Sequence, residues 1–243
     1  MFYAIFTQPL VNLLAFFVWL APGDSLAVAV ILLTVAVRAV LYPLQRISTR
    51  SQNVLKSVQP KLEAIKKQYA GSREKQLEAT MRLYREEGIN PLTTLGTSLL
   101  LLGIQLPILL ALFSILANDT AAKLFNGLYG FVPRPEGLEA SVFGLFNLTE
   151  PNIVMAAAAG LAQFVQIRLS APKPGAGAEG FMAAFQKQSQ FLFPVLTVVI
   201  GMRLPSALAL YWTVFTLLGL VDDLWRLRKE KRTPSRPTAT AAR

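Results

Sequence analysis

Long apolar stretches alternate with shorter polar segments along most of the chain. A helix needs about 20 mostly apolar residues to cross a hydrocarbon core of roughly 30 Å. Several stretches approach this length and contain almost no charged residues. The pattern predicts an all-α integral membrane protein with five membrane-spanning helices in residues 24–225. The predicted spans cover about residues 26–44, 92–117, 151–169, 186–202 and 205–222.

The last apolar region, residues 191–221, is long enough for more than one span, and Arg203 and Pro205 interrupt it. Proline inside a helix removes a backbone hydrogen bond and tends to end the helix. We therefore expect two helices joined by a tight turn in this region.

The first apolar segment, residues 9–20, is followed by Pro22 and Gly23. A helix over this segment would be about 18 Å long, which is too short to cross a bilayer. We expect residues 1–23 to form an amphipathic helix at the membrane interface. A secretory signal peptide is the alternative, and the absence of Lys and Arg from residues 1–20 argues against it.

Residues 46–88 form a polar segment in which apolar residues recur every three or four positions between Lys, Arg and Glu. This spacing is typical of amphipathic helices. Pro60 suits a first helical turn, Gly71 a turn between helices and Gly88 a helix C-cap. The segment is predicted to be a cytoplasmic helical hairpin.

The net charge of +10 is unevenly distributed. With five spans, 20 of the 24 Lys and Arg residues lie on one side of the membrane. The positive-inside rule places that side in the cytoplasm, so we expect the N-terminus outside and the C-terminus inside. Residues 226–243 are predicted to form a basic cytoplasmic tail, disordered from residue 233. Its expected partner is either anionic lipid or ribosomal RNA.

The chain has neither cysteine nor histidine. This composition excludes thiolate nucleophiles, histidine proton relays and most transition-metal sites. Apart from Lys187 at the edge of the fourth span, the predicted spans hold no lysine, and none holds a pair of aspartates that could form a catalytic dyad. We therefore expect neither an enzyme nor a cofactor.

Arg38 is the one charged residue of the first predicted span. Arginine inside a span costs about 2.5 to 3.5 kcal/mol, so it normally faces a bundle interior, a partner or water. Thr34 and Tyr42 share its helix face, a polar stripe larger than a snorkelling side chain needs. Asp222 and Asp223, at the end of the last span, are expected to face solvent or to cap the tail. The interpretation is an unpaired arginine in a hydrated cavity.

Other predicted spans also carry uncharged polar side chains, which suit a hydrated cavity because they are costly in lipid. Ordinary hydrogen bonding between helices is the alternative explanation. The residues are Gln105, Gln163, Gln166, Tyr211, Trp212, Thr213 and Thr216.

In order and spacing, five segments make the chain resemble the YidC-type membrane insertases, in the short bacterial form without a large extracytoplasmic domain. The resemblance covers about residues 8–228. Two departures concern the last span, where Thr216 and Asp222 replace a usual Asn and Gln, and TLGTSLL replaces a usual Gly-Cys-Leu-Pro run at 94–100. The matching segments are VRAVLYPL (37–44), LYREEGINPL (83–92), LLGIQLPI (101–108), QFVQ (163–166) and LPSALALYW (204–212).

The resemblance implies five helices around a hydrophilic groove that opens to the cytoplasm and the lipid. Arg38 matches the groove arginine, and Thr34, Gln163 or Gln166, and Trp212 match other groove positions. It further implies a bacterial inner-membrane protein that inserts nascent membrane proteins without nucleotide, with the ribosome and the Sec translocon as expected partners.

A small-solute channel or transporter is the alternative function, because intramembrane Arg and Gln can also line a solute path. Inverted repeats would favour a transporter, and the sequence shows none. An unpaired Arg38 predicts that Arg38→Ala impairs insertion of acidic translocated tails more than that of neutral tails.

Overall fold

Helices dominate the computed structural model, which describes residues 1–116, 125, 127–142, 144–170 and 181–232. The predicted all-α membrane fold is confirmed. Residues 171–180 and the predicted disordered tail from residue 233 lie outside the described residues. The helices are α1 (Gln8–Leu20), α2 (Leu26–Ser57), α3 (Gln59–Gln68), α4 (Arg73–Glu86), α5 (Pro91–Leu116), α6 (Ile153–Ser170), α7 (Phe181–Gly201) and α8 (Ser206–Arg232).

Four helical segments in the described part of the chain are long and apolar enough to cross a membrane. The predicted spans fall on α2, α5, α6, α7 and α8, but the apolar parts of α6 and α7 are shorter than the other three. The number of crossings therefore stays a prediction. The long segments are Tyr3–Leu20, Leu26–Arg50, Leu99–Leu116 and Ser206–Trp225, and the shorter ones are Ile153–Leu169 and Gln188–Gly201.

The N-terminal helix is longer than the sequence pattern predicted. A π-helical turn, Tyr3–Thr7, leads directly into α1, so Pro9 lies in the first turn of α1 without ending the helix. Helix thus runs through 18 residues, about 27 Å, so the predicted length of about 18 Å, too short to cross a bilayer, was wrong.

Contacts of α1 nevertheless favour a position along one end of the bundle. Asn12 Oδ1 accepts a hydrogen bond from the backbone N–H of Tyr129 at 2.6 Å. Asp24, just beyond α1, accepts one from the backbone N–H of Gly137 at 2.9 Å. Asn12 in the middle of α1 and Asp24 beyond its end thus contact the same loop, between α5 and α6, so α1 runs beside that loop. This is consistent with the predicted interfacial helix.

Helix α2 continues well beyond the predicted end of its span at Leu44 and reaches Ser57 as one helix of 32 residues. Pro43 lies inside it. The residues after Leu44 are mostly polar, so the helix outlasts its apolar part. Arg38 and the start of the polar segment therefore belong to the same rod.

Helices α3 and α4 form the predicted hairpin. Pro60 occupies the first turn of α3, and the side chain of Ser72 caps α4 by accepting from the backbone N–H of Lys75 at 3.5 Å. Gly88 follows α4 with φ of 62°, a conformation that favours glycine. Lys61 and Glu87 form an ion pair between the start of α3 and the end of α4. Hence α3 and α4 are antiparallel.

Helices α6 and α7 pack closely through small residues. A Cβ on Gly160 would lie 2.4 Å from Val198 Cγ2 and 3.0 Å from the carbonyl oxygen of Pro194. A Cβ on Gly201 would lie 3.0 Å from the Cβ of Ala156. After Gly201 a short turn leads to α8, which confirms that residues 191–221 form two helices.

The buried apolar core lies at one end of the bundle. We call this the loop end, and it contains residues 21–25, 127–142, 144–152 and 202–205. The opposite end, with α3 and α4, is the hairpin end. The loop from residue 127, with its ribbon of β1 (Ser141–Val142) and β2 (Phe146–Asn147), closes over the loop end. Ser206 anchors the start of α8 there through hydrogen bonds to the carbonyl oxygen of Glu150. Core residues include Leu14, Val18, Leu26, Leu33, Leu112, Leu116, Leu148 and Leu208.

Candidate functional site

Arg38 forms an ion pair with Asp222, so the expectation of an unpaired arginine was wrong. Its Nη2 lies 3.1 Å from Asp222 Oδ2, and its Nη1 donates to the backbone carbonyl of Phe215 at 2.8 Å. The guanidinium carbon also lies 4.9 Å from the centre of the Phe215 ring. Asp222 was assigned to solvent because it lies at the end of the apolar run. The helix continues past Asp222 to Arg232, and the Asp222 side chain faces α2.

One face of α8 supplies every one of these contacts. Phe215, Gly219 and Asp222 are spaced by four and three residues, so they lie above one another on the helix surface. A Cβ on Gly219 would lie 3.2 Å from Nη2 of Arg38. Glycine at this position therefore leaves the room that the guanidinium occupies.

Gln166 of α6 reaches the same place. Its Nε2 would lie 2.4 Å from a Cβ on Gly219, so its amide rests on the bare backbone of α8 beside the guanidinium. Gln163, one turn earlier on α6, accepts a hydrogen bond from the hydroxyl of Thr197 on α7. The structure thus brings Gln166 to Arg38, whereas Gln163 contributes to packing between α6 and α7.

Gln105 and Tyr211 form a second polar contact nearer the loop end. Gln105 Nε2 donates to the Tyr211 hydroxyl at 3.2 Å, and the Tyr211 side chain is almost fully buried. The Tyr211 ring also stacks on Phe215, with the ring centres 5.9 Å apart. Phe215 therefore connects this pair to Arg38.

The remaining predicted site residues occupy varied surroundings. Thr34 is completely buried, and its hydroxyl donates to the carbonyl oxygen of Val30 in the same helix at 2.6 Å. Tyr42 is 37% exposed, and Trp212 is partly buried. The Thr34 hydroxyl is satisfied within α2, so this position offers little to a passing polypeptide.

The sequence did not point to Phe215 or Gly219, and Asp222 was predicted to face solvent or cap the tail rather than to contact Arg38. Their spacing along the last apolar run was a visible signal, because residues four and three apart share a helix face. The sequence did not show that this face turns toward α2, because Arg38 and Asp222 are 184 residues apart in the chain.

The site is suited to reversible polar recognition. It combines a guanidinium, a carboxylate and an amide, which can exchange hydrogen bonds with a peptide. Groups of His, Cys, Asp or Glu that could hold a metal ion are absent from the described residues. The Arg38 side chain is 12% exposed and that of Asp222 is 32% exposed, so the ion pair lies at the edge of the bundle rather than in a sealed interior.

Comparison with known proteins agrees with the fold class and with the resemblance to membrane insertases. A family model described as the 60Kd inner membrane protein matches residues 19–233. A membrane protein insertase YidC from Fusobacterium nucleatum is 30% identical over 207 residues, which covers 84% of this chain and 87% of the relative.

Two longer relatives carry the same name. The protein from Magnetococcus marinus is 30% identical over 94% of this chain and 36% of its own length. The protein from Anaeromyxobacter dehalogenans is 31% identical over 96% of this chain and 38% of its own length. The chain thus spans little more than a third of these two relatives. With most of its length matched by the family model, the chain belongs to the 60Kd inner membrane protein family, a group that includes the YidC membrane protein insertases.

Proposed function

We propose that this protein is a membrane protein insertase, which transfers hydrophobic segments of nascent proteins from the cytoplasm into the bilayer. The proposal is supported by its relationship to proteins named as insertases and by the polar cluster around Arg38. A charged cluster in an apolar bundle costs free energy, so it is expected to have a function.

The position of the cluster supports entry from the hairpin end. Arg38 lies 12 residues beyond Leu26, or about 18 Å of helix, and Asp222 lies about 24 Å beyond Ser206. The buried apolar core fills the loop end. A polypeptide can therefore reach the ion pair from the hairpin end without disturbing that core.

We propose that the polar part of a nascent segment lies briefly in a hydrophilic groove beside Arg38. Its backbone and side chains would exchange hydrogen bonds with the groove while its hydrophobic part moves into the surrounding lipid. The residues proposed to line this groove are Arg38, Tyr42, Gln105, Gln166 and Trp212, to which we add Asp222. Thr34, Gln163 and Tyr211 are proposed to support the groove from within the bundle, because their polar groups are bound there. This process needs no nucleotide and no covalent intermediate, so the protein is proposed not to be an enzyme.

The proposed location is the bacterial inner membrane, with the loop end outside and the hairpin end in the cytoplasm. The distribution of Lys and Arg supports this orientation. Nascent membrane proteins are the proposed substrates, and the ribosome, the Sec translocon and anionic lipids are proposed partners. A channel or transporter is not favoured, because the named relatives are insertases.

Rescue of bacterial cells depleted of their own insertase tests the proposal. We expect the wild-type chain to restore growth and the insertion of a reporter protein with a short translocated tail. An empty vector and an unrelated multi-spanning protein at equal expression are the controls. Equal reporter insertion with the chain and with the empty vector would contradict the proposed function.

A further inference from the structure

Because Arg38 forms an ion pair with Asp222, the polar cluster has no net charge rather than a positive one. Both partners are fixed on continuous helices, α2 and α8. The guanidinium is held at two points on the same face of α8, by Asp222 and by the Phe215 carbonyl. An approaching polypeptide therefore meets a neutral pair, and a substrate carboxylate has to compete with Asp222 for the same guanidinium.

The two partners differ in accessibility. The Asp222 side chain is 32% exposed and the Arg38 side chain is 12% exposed, and Asp222 lies about 24 Å along α8, near the hairpin-end surface. A segment that enters from that end reaches the carboxylate first. Repulsion by this carboxylate disfavours acidic segments, whereas neutral or basic segments are tolerated.

We propose that Asp222 is a specificity-determining residue that acts as a built-in counter-ion to Arg38 and lowers the preference of the groove for acidic translocated segments. This inference rests on the proposed insertase function and goes beyond it by assigning the charge selectivity to one residue. Removal of the carboxylate, with Arg38 retained, exposes a net positive charge that attracts acidic segments.

Four proteins differ in the net charge of residues 38 and 222. The wild type is neutral, Asp222→Asn carries one positive charge, and Arg38→Ala carries one negative charge. The double variant Arg38→Ala/Asp222→Asn is again neutral. If net charge decides selectivity, the two neutral proteins share a preference and the two charged ones deviate from it in opposite directions. Such a cycle isolates the coupling between the two side chains.

The experiment uses the full chain in liposomes and three single-span substrates that differ only in an acidic, neutral or basic translocated tail. We expect Asp222→Asn to raise the ratio of acidic to neutral insertion by about two- to fivefold, the upper part of the range for ion pairs that are partly open to solvent. Arg38→Ala should lower this ratio, and the double variant should return it to the wild-type value.

Two matched controls keep the charge effect distinct from damage to α8. Asp223→Asn removes a carboxylate about 100° further around the helix and should leave the ratio unchanged. Asp222→Glu retains the charge and should also keep the wild-type ratio. The same ratio for Asp222→Asn as for Asp223→Asn would overturn the inference.

Other outcomes have separate meanings. If Asp222→Asn does not accumulate, Arg38→Ala and the double variant decide, and equal ratios in those two proteins overturn the inference. If the wild-type protein inserts none of the substrates, the proposed insertase function fails first. If the wild-type protein inserts the substrates but the ratio of acidic to neutral insertion does not change with the residue at position 222, the insertase function is supported and Asp222 does not determine specificity.

Discussion

At the scale of single residues, the position of the Arg38 guanidinium depends on the lack of a side chain at Gly219 as well as on the groups that bind it. Arg38 and Gln166 both occupy space that a Cβ on Gly219 would enter. The carbonyl of Phe215 and the carboxylate of Asp222 then hold the guanidinium against α8. The geometry of the polar cluster therefore depends on glycine at position 219.

Gly219→Leu should displace Arg38 and Gln166 without changing any charge. We expect an insertion rate about tenfold lower than wild type, equivalent to about 1.4 kcal/mol, measured with the neutral-tail substrate in liposomes. Gly103→Leu is the matched control, because a Cβ on Gly103 would have no heavy atom within 4 Å. Equal rates for the two variants would show that room at Gly219 is not required.

The sequence predicted some of these residues and missed others for a physical reason. Arg38 was found because a charge within an apolar run is a local feature with a known cost in lipid. Asp222 was found as a residue but assigned to solvent, since the polarity of its neighbours says nothing about which way its helix face turns. Pairing between α2 and α8 is a property of packing, which no local pattern contains.

At the scale of helices, apolar length identified the bundle elements but not their ends. Helix α2 continues through polar residues to Ser57, and the N-terminal helix starts at Tyr3 rather than at Pro9. Hydropathy indicates which residues can lie in lipid. A helix, in contrast, continues for as long as its backbone hydrogen bonds and the helix propensity of its residues allow. The hairpin turn was easier to predict, because Pro60, Gly71 and Gly88 mark backbone positions directly.

The close contact of α6 and α7 provides a test at this scale. Gly160→Ala should destabilise the protein, although alanine favours helix over glycine by about 1 kcal/mol, because the added Cβ would meet Val198 at 2.4 Å. Overpacking typically costs about 1 to 3 kcal/mol, so we expect a lower unfolding temperature in detergent.

Gly103→Ala in α5 is the control for Gly160→Ala, since it gains the same helix propensity in open space. Its unfolding temperature should equal or exceed that of the wild type. An unfolding temperature for Gly160→Ala as high as that of Gly103→Ala would mean that α6 and α7 can separate without cost.

At the scale of the whole molecule, the two ends of the bundle differ in chemistry. The loop end is filled by buried leucines and closed by the loop from residue 127, whereas the hairpin end carries most of the basic residues. The charge count predicted this polarity before any packing was known. How the loop end is sealed was not predictable, because the seal consists of backbone hydrogen bonds between segments far apart in sequence.

Orientation can be tested cleanly because the chain has no cysteine. Glu136→Cys lies on the exposed loop end and Glu78→Cys on the exposed face of α4. We expect a membrane-impermeant maleimide to label Glu136→Cys in intact spheroplasts and Glu78→Cys after the membrane is disrupted. Labelling of Glu78→Cys from outside, with Glu136→Cys protected, would reverse the proposed orientation.

The unbroken course of α2 has a mechanical consequence. A helix of 32 residues is about 48 Å long, and it carries Arg38 near its middle and the hairpin at its far end. A displacement of the hairpin is therefore transmitted to the guanidinium through a continuous helix. Pro43, which lacks the N–H that would bond back to the preceding turn, is its most compliant point. Bending there changes how much of a displacement at the hairpin reaches the ion pair.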